Sequence, residues 1–332
     1  MKVILMISII VPCFNEEKSL VEFYKQFSKI RKEIRHQCFE LIFVDDGSQD
    51  KSLEIIKQIT EQDQESYYIS FTRNFGKEAA ILAGLKQAKG DYVAILDADL
   101  QDPPELLIKM YDLIQEGTYE CIAARRVNRE GEPKIRSFFA KLFYKLINKI
   151  SDIEIMDGAR DFRLMKREVV DSILQLGEYN RFSKGIFGWV GYRTKWVEYV
   201  NQERQAGESK WSFWGLFRYA LEGVVAFSTV PLALSSLVGI ALFVMSIIFI
   251  LVIVIKTIVF GDPVDGWPSL VCVIFFVSGI QLLCIGILGQ YLAKTYMETK
   301  KRPIYIVREM SRDLEVKSMS NIKEYSNAGK VI

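Results

Sequence analysis

Three polar clusters each follow an apolar run of strand length, and the richest is Asp97-Ala-Asp-Leu-Gln-Asp102. Asp97 and Asp99 are separated only by Ala98, and two carboxylates at that spacing repel unless a cation or a hydrogen-bond donor lies between them. An oxygen-rich Asp-x-Asp-x-Gln array at a strand end suits a divalent ion that also bridges substrate phosphates. The plainer use of the same residues is a capping turn, with Asp102 as the N-cap of a helix begun by Pro103-Pro104-Glu105. The company of two further polar strand ends favours the chemical reading.

In Val44-Asp-Asp-Gly-Ser-Gln-Asp50, Ser48 or Asp50 can cap the next helix. Asp45 and Asp46 are left over, and a carboxylate at a strand end can accept hydrogen bonds from a nucleobase N–H or from ribose hydroxyls. In Pro12-Cys-Phe-Asn-Glu16, Asn15 suits a helix cap, while Pro12 and Glu16 suit a base pocket. No Gly-x-Gly-x-x-Gly follows the first strand and no Walker lysine loop occurs, which excludes ordinary dinucleotide oxidoreductases and P-loop ATPases. His36 is the only histidine. A Ser-His-Asp triad must use it or not exist, a multi-histidine metal site is excluded, and any metal must take oxygen ligands, which favours Mg²⁺ or Mn²⁺.

The elements that position these clusters alternate. Strand-length apolar runs lie at 4–11, 39–44, 67–71, 92–96 and 119–123, with helical patterns near 16–35, 51–61, 77–89 and 104–116. Short strands spaced by helices predict an α/β head with a mostly parallel sheet covered on both faces, where ligands gather beyond the carboxyl ends of the strands. The opening Met1-Lys2 and the apolar run to Val11 resemble a signal peptide. No small-residue cleavage site follows, so an uncleaved buried strand is expected.

The 332 residues carry 43 basic and 41 acidic side chains, too balanced for a disordered chain or a dedicated nucleic-acid binder. Five cysteines without paired spacing predict reduced thiols. From Pro231 to Ile255 the chain runs 25 residues without a charge, and from Trp267 to Ala293 another 27. Each run is long enough to cross a hydrocarbon core of roughly 30 Å. Lys294, Lys300, Lys301 and Arg302 follow the second run, which predicts a C-terminal tail in the cytoplasm and a head on that same side. The expected organisation is a cytosolic domain over 1–208, an interfacial amphipathic segment over 209–230, two transmembrane helices over 231–294 and a cytosolic tail over 295–332. Ser137–Ile150, with lysines at every fourth position, and Trp211–Tyr219 suit a lipid–water interface. Gln281 and Gln290 suit bonds between membrane helices.

Val11-Pro-Cys-Phe-Asn-Glu-Glu17, Val44-Asp-Asp-Gly-Ser-Gln-Asp50, Asn74-Phe-Gly-Lys-Glu-Ala79 and Asp97-Ala-Asp-Leu-Gln-Asp-Pro-Pro-Glu105 resemble glycosyltransferase family 2. More narrowly, they resemble its bacterial polyprenyl-phosphate glycosyltransferases, of bactoprenol glucosyltransferase type, relatives of dolichyl-phosphate mannose synthase. The resemblance continues through Gly158-Ala-Arg-Asp-Phe-Arg-Leu164, Glu203–Ser212, the two apolar runs and Lys301-Arg-Pro-Ile-Tyr305. It implies a GT-A-type nucleotide-sugar fold in a multi-pass protein of the cytoplasmic membrane. By position, Pro12, Asn15, Glu16, Asp45 and Asp97 would line the nucleotide pocket, and Asp99 with Gln101 would hold Mg²⁺ or Mn²⁺ beside the diphosphate. Asp161 would be the catalytic base, and Arg125, Arg136, Arg204 and Lys210 would gather around phosphates.

The implied reaction is inverting transfer of a sugar, with glucose from UDP-glucose as the choice, to undecaprenyl phosphate. GDP-mannose, UDP-N-acetylglucosamine and UDP-galactose are the alternative donors. The implied partners are the nucleotide sugar, the polyprenyl phosphate and the membrane, a separate flippase, a downstream transferase and further copies of the chain, as a tetramer; no nucleic acid is implied. A lipid phosphate is mostly ionised at neutral pH, its second pKa being about 6, and needs little help from a base. Asp161 would then position a reactant as much as remove a proton; its plainer use is a salt bridge to Arg160 or Arg163. A polysaccharide synthase would share the head, but Gln202-Glu-Arg-Gln205 lacks the tryptophan of Gln-x-x-Arg-Trp. A non-catalytic membrane scaffold would have no need of the Asp97/Asp99/Gln101 array.

Overall fold

The computed structural model describes residues 5–34, 37–127, 148, 156–199, 228, 230–260 and 266–311. His36, Arg136, Arg204 and Lys210 lie outside the described residues, as do the proposed interfacial segments at 137–150 and 209–230 apart from Asn148, Ser228 and Val230.

The first unit carries strands β1 (Met6–Cys13), β2 (Cys38–Asp45), β3 (Ser66–Phe71), β4 (Tyr92–Ile95), β5 (Cys121–Arg126), β6 (Ala159–Lys166), β7 (Thr194–Tyr199) and β8 (Val307–Met310). Its helices are α1 (Leu20–Glu33), α2 (Ser52–Gln62), α3 (Lys77–Gln87), α4 (Leu106–Gln115), α5 (Arg167–Gln175) and α6 (Ser183–Trp189). One sheet forms in the order β7-β5-β6-β4-β1-β2-β3-β8. The pairs β1–β2, β1–β4, β2–β3 and β5–β7 are parallel, whereas β6 and β8 run against their neighbours. The mostly parallel sheet expected from the sequence is present, and the four expected helices α1 to α4 and five expected strands β1 to β5 fall where the apolar periods put them.

Burial on both faces explains why β1 and β2 read as continuous apolar runs. Ile7, Ile9 and Val11 join the core formed with Phe23 and Phe27 of α1, whose buried residues Leu20, Phe23, Phe27 and Ile30 recur at helical spacing. On the other face α3 presents Ala79, Ala80, Ala83 and Gly84, all buried. A Cβ at Gly84 would meet Ile10 Cγ2 at 2.3 Å, so only glycine lets α3 lie this close to β1.

Strand β6 sets the site. It runs antiparallel to β4 with Tyr92 opposite Lys166 and Ile95 opposite Arg163. Continued two residues, that register sets Asp161 across from Asp97. At the far edge β8 pairs with β3 of its own chain. Tyr305, just ahead of β8, stacks on Phe71 with ring centroids 4.9 Å apart.

The second unit holds α7 (Val230–Phe260) and α8 (Trp267–Thr299), packed on each other, with the Tyr291 hydroxyl donating to the Ser228 carbonyl at 2.6 Å. Both helices are long and apolar enough to cross a bilayer. Leu237, Ile258 and Phe275 leave 62%, 78% and 74% of their surface uncovered, an apolar exterior that a lipid solvent would cover and water would not.

Candidate active site

The three clusters meet at the carboxyl ends of β1, β2 and β4. Asp45, the last residue of β2, is buried; its Oδ1 accepts from the Ser48 amide at 3.1 Å and its Oδ2 from the Ser70 hydroxyl at 2.8 Å. Asn15 sits in the left-handed region at φ 55°. Its amide donates to Ser48 Oγ at 3.0 Å and its Oδ1 accepts from the Gln49 amide at 2.9 Å, so it stitches the β1 and β2 loops together instead of capping α1. The Glu16 amide donates to Ser52 Oγ at 2.7 Å, and the Glu16 carboxylate accepts from Ser19 Oγ at 2.9 Å. Pro12, one residue before the end of β1, lies opposite Val44 and is half-buried. Asp50 does cap the start of α2, accepting from the Ser52 amide at 3.0 Å.

Asp46 points the other way. Its two oxygens accept from the amides of Phe75 at 2.6 Å and Gly76 at 2.9 Å, which fixes the turn leading into α3. Gly76 adopts φ 98°, a conformation open to glycine and strained for other residues. Burial pushes the Asp46 carboxyl up to about 6 despite those two donors.

The turn delivers Lys77, the first residue of α3, between the opposed carboxylates. Its ammonium lies 2.7 Å from Asp97 Oδ1 and 2.6 Å from Asp161 Oδ2. Without it the two acids would face each other across β4 and β6 as like charges. Burial works to raise the Asp161 carboxyl, but Lys77, with Lys184 and Arg163, outweighs it and holds the group well below the ordinary range. Burial, opposed by Lys77, pushes Asp97 up. Cys13, at the end of β1, is pushed well up by burial and by the charges of Asp45, Glu16 and Asp97, and stays an inert thiol.

Asp99 follows on the same loop. Leu100 takes a left-handed φ of 57° with its side chain buried, and the Gln101 amide turns back to Asp99 Oδ1 at 3.1 Å. Gln101 Oε1 accepts from Arg160 Nη2 at 3.1 Å. Asp102 is not the helix cap that the sequence suggested. Its Oδ1 accepts from Arg160 Nε at 2.9 Å and from the Tyr199 hydroxyl, and its buried Oδ2 has no hydrogen-bond partner among the described residues. Among the described residues no three His, Cys, Asp or Glu side chains form a ready-made metal cage. The donor set instead fits a hard cation held by one or two carboxylates, chiefly Asp99, with its other ligands from a diphosphate and water.

Of the residues singled out in the sequence, the structure brings Asp97 and Asp161 together, groups Asn15 with Asp45 through Ser48, and ties Gln101 to Arg160. Arg125 stands apart at the end of β5, bonded to the Asp157 carbonyl at 3.1 Å and to Glu198 at 3.2 Å. Asp161 pairs with Lys77, and Arg160 pairs with Asp102. Arg163 is buried with its guanidinium 3.4 Å from the Phe187 ring centroid. Lys77, which the sequence reading did not single out as a site residue, is the cation that lies between the two acids. A signal was there: a cation at the first position of a helix opposes the helix dipole and needs another reason to be present.

Residues 8–174 match the family described as Glycosyl transferase family 2. The chain is 42% identical over 324 residues to a putative glycosyltransferase, CsbB, of Bacillus subtilis, covering 96% of this chain and 98% of that one. It is 42% identical to a prophage bactoprenol glucosyl transferase homolog of Escherichia coli, over 92% of this chain and 99% of the relative. It is 45% identical to an SfII prophage-derived bactoprenol glucosyl transferase of Shigella flexneri, over 92% of this chain and 98% of the relative.

Proposed function

The chain belongs to glycosyl transferase family 2, and from that premise we propose that it moves glucose from UDP-glucose to undecaprenyl phosphate at the cytoplasmic face of the membrane, with inversion at the anomeric carbon. The observation that carries this reading is the Asp97–Lys77–Asp161 arrangement at the strand ends of a chain alike over nearly its full length to bactoprenol glucosyl transferases. The two apolar helices support a membrane location, where a long-chain lipid acceptor would be met.

Asp45, Asn15, Glu16 and Pro12 form the floor on which the nucleotide would rest, and Asp97 stands between that floor and the acid across β6. A phosphate oxygen of the acceptor forms the new bond to the anomeric carbon as the bond from that carbon to UDP breaks, and an α-linked donor gives a β-linked product. Asp161, held ionised, is a weak base; the acceptor dianion needs none, so Asp161 orients reactants. Mg²⁺ or Mn²⁺, held by Asp99 with the neighbouring Gln101 amide, would supply positive charge to the departing diphosphate. Arg125, Arg136, Arg204 and Lys210 are assigned to phosphates on the family resemblance alone.

The test is to incubate membranes containing the protein with Mg²⁺ or Mn²⁺, undecaprenyl phosphate and radiolabelled UDP-glucose, then count label in the organic extract. Lipid-bound label that needs the metal and is lost in Asp99→Ala supports the reading. Label from another nucleotide sugar alone corrects the donor. No lipid label from any donor overturns the acceptor.

A further inference from the structure

Asn74-Phe-Gly-Lys-Glu-Ala79 supplies the Lys77 bridge between Asp97 and Asp161, and the structure fixes this segment from three sides. Asp46 holds the amides of Phe75 and Gly76. Gly84 lets α3 press against Ile10. Glu78, next to Lys77, accepts from both the amide and the hydroxyl of Ser183 at the start of α6. Asp97 and Asp161 are largely covered, at 23% and 17% exposed, so removing the cation between them would leave two like charges facing each other in a partly buried setting. Lys77 also lies at the end of α3 where a positive charge is disfavoured. An ammonium has three donors, of which two go to Asp97 and Asp161, and 42% of the side chain remains exposed.

Resting on the transferase reading above, we propose that Lys77 is a positioning residue of the transfer: it spans Asp97 on the donor side and Asp161 on the acceptor side and sets the placement of the Asp161 carboxylate. Two acids brought face to face by the β4–β6 register need a cation between them, and a lysine anchored on a braced helix holds that cation at a fixed point. The bridge acts through Asp161, so its loss costs turnover and leaves nucleotide binding in place.

The test uses the full-length protein in nanodiscs with polyprenyl phosphate, comparing wild type, Lys77→Met, Lys77→Gln, Lys77→Arg, Asp161→Asn and the Lys77→Met/Asp161→Asn double variant. Lys77→Met is expected to lower kcat about 100-fold, the scale of a misplaced catalytic group. UDP affinity by calorimetry and the donor KM should stay within about threefold, and Lys77→Arg should recover part of the loss. In the Asp161→Asn background the same change should cost less than about threefold, because the two residues act as one unit. The proposal is overturned if a neutral variant that binds UDP keeps more than about a third of kcat, or if the two losses multiply in full. Loss of UDP binding in both Lys77→Met and Lys77→Gln overturns it too, since that assigns Lys77 to the nucleotide. A wild type that transfers no sugar to lipid brings down the transferase reading itself and Lys77's role with it, a result distinct from an active wild type with an indifferent Lys77.

Discussion

The two ends of the sheet both bury carboxylates and treat them in opposite ways. At the amino end, Glu40 is sealed in: it accepts from the Ser8 hydroxyl and from the Lys89 amide at 2.5 Å, while the Gly90 amide donates to Ser8 Oγ at 2.7 Å. Gly90 is packed so tightly there that a Cβ would meet the Ser8 amide at 2.6 Å. At the carboxyl end, Asp97 and Asp161 are balanced by the tip of one long side chain that is itself partly open. Backbone and short-side-chain donors cannot leave, so Glu40 is tied to the fold. A lysine head can be met by an incoming reactant, so Asp97 and Asp161 are left open to one.

Substitutions at the two ends should separate cleanly. Asp99→Ala at the carboxyl end is expected to lower transfer by about 1,000-fold or more, with the melting temperature little changed, as measured by lipid-bound label and thermal unfolding of the same preparation. Glu40→Ala at the amino end should do the reverse. It strands the buried Ser8 hydroxyl and the part-buried Lys89 amide and should cost about 2 kcal/mol in denaturant unfolding, with kcat per folded molecule kept. An Asp99→Ala that unfolds, or a Glu40→Ala that folds well and is inactive, would break the contrast.

Asp46 lies between the two cases, a carboxylate held by backbone donors that nonetheless aims the site. Its carboxyl sits at about 6 in the folded chain against 3.8 ordinarily, so between those values the folded state binds more proton than the unfolded one. Its contribution to stability is therefore greatest below pH 4, erodes as pH rises towards 6 and is flat above, a change of up to about 3 kcal/mol. Asp46→Asn lacks that titration. The melting-temperature advantage of wild type over Asp46→Asn should accordingly shrink as pH rises from about 4 to about 7. A gap that is constant, or that widens, contradicts the assignment.

The smallest effect joins the two ends. Gly84→Ala should cost about 2 kcal/mol by overpacking against Ile10, and by moving α3 it should lower kcat as well. Stability lost with kcat intact would show that Lys77 tolerates a displaced helix.

Period and burial made most of the fold legible: buried faces at helical spacing mark α1, and unbroken apolar runs mark β1 and β2. Strand β6 was not legible as a strand. Ala159-Arg-Asp-Phe-Arg-Leu-Met-Lys166 carries charges at inward as well as outward positions, and the buried Arg163 is accommodated by the Phe187 ring over its guanidinium and by the carbonyls of Arg160 and Asp161. The partners of Asp102 were not legible for a similar reason. Its local context is that of a cap, and the partners that claim it, Arg160 and Tyr199, lie 58 and 97 residues away. Within the site, Asp45, Asp97 and Asp99 stand out by type and place, whereas the Lys77–Asp161 bridge spans 84 residues and no local pattern encodes it.

The short strand β8 has a consequence for how the chain must be threaded. It comes after the α7–α8 pair and hydrogen-bonds to β3, which comes before it. A sheet cannot form through a bilayer, so the segments on either side of the pair share one compartment, whatever surrounds the helices between them. The final stitch of the sheet also becomes available only after both apolar helices have left the ribosome. The β3 edge therefore waits for β8 through the synthesis of α7 and α8, and the head is complete only once both helices have been made.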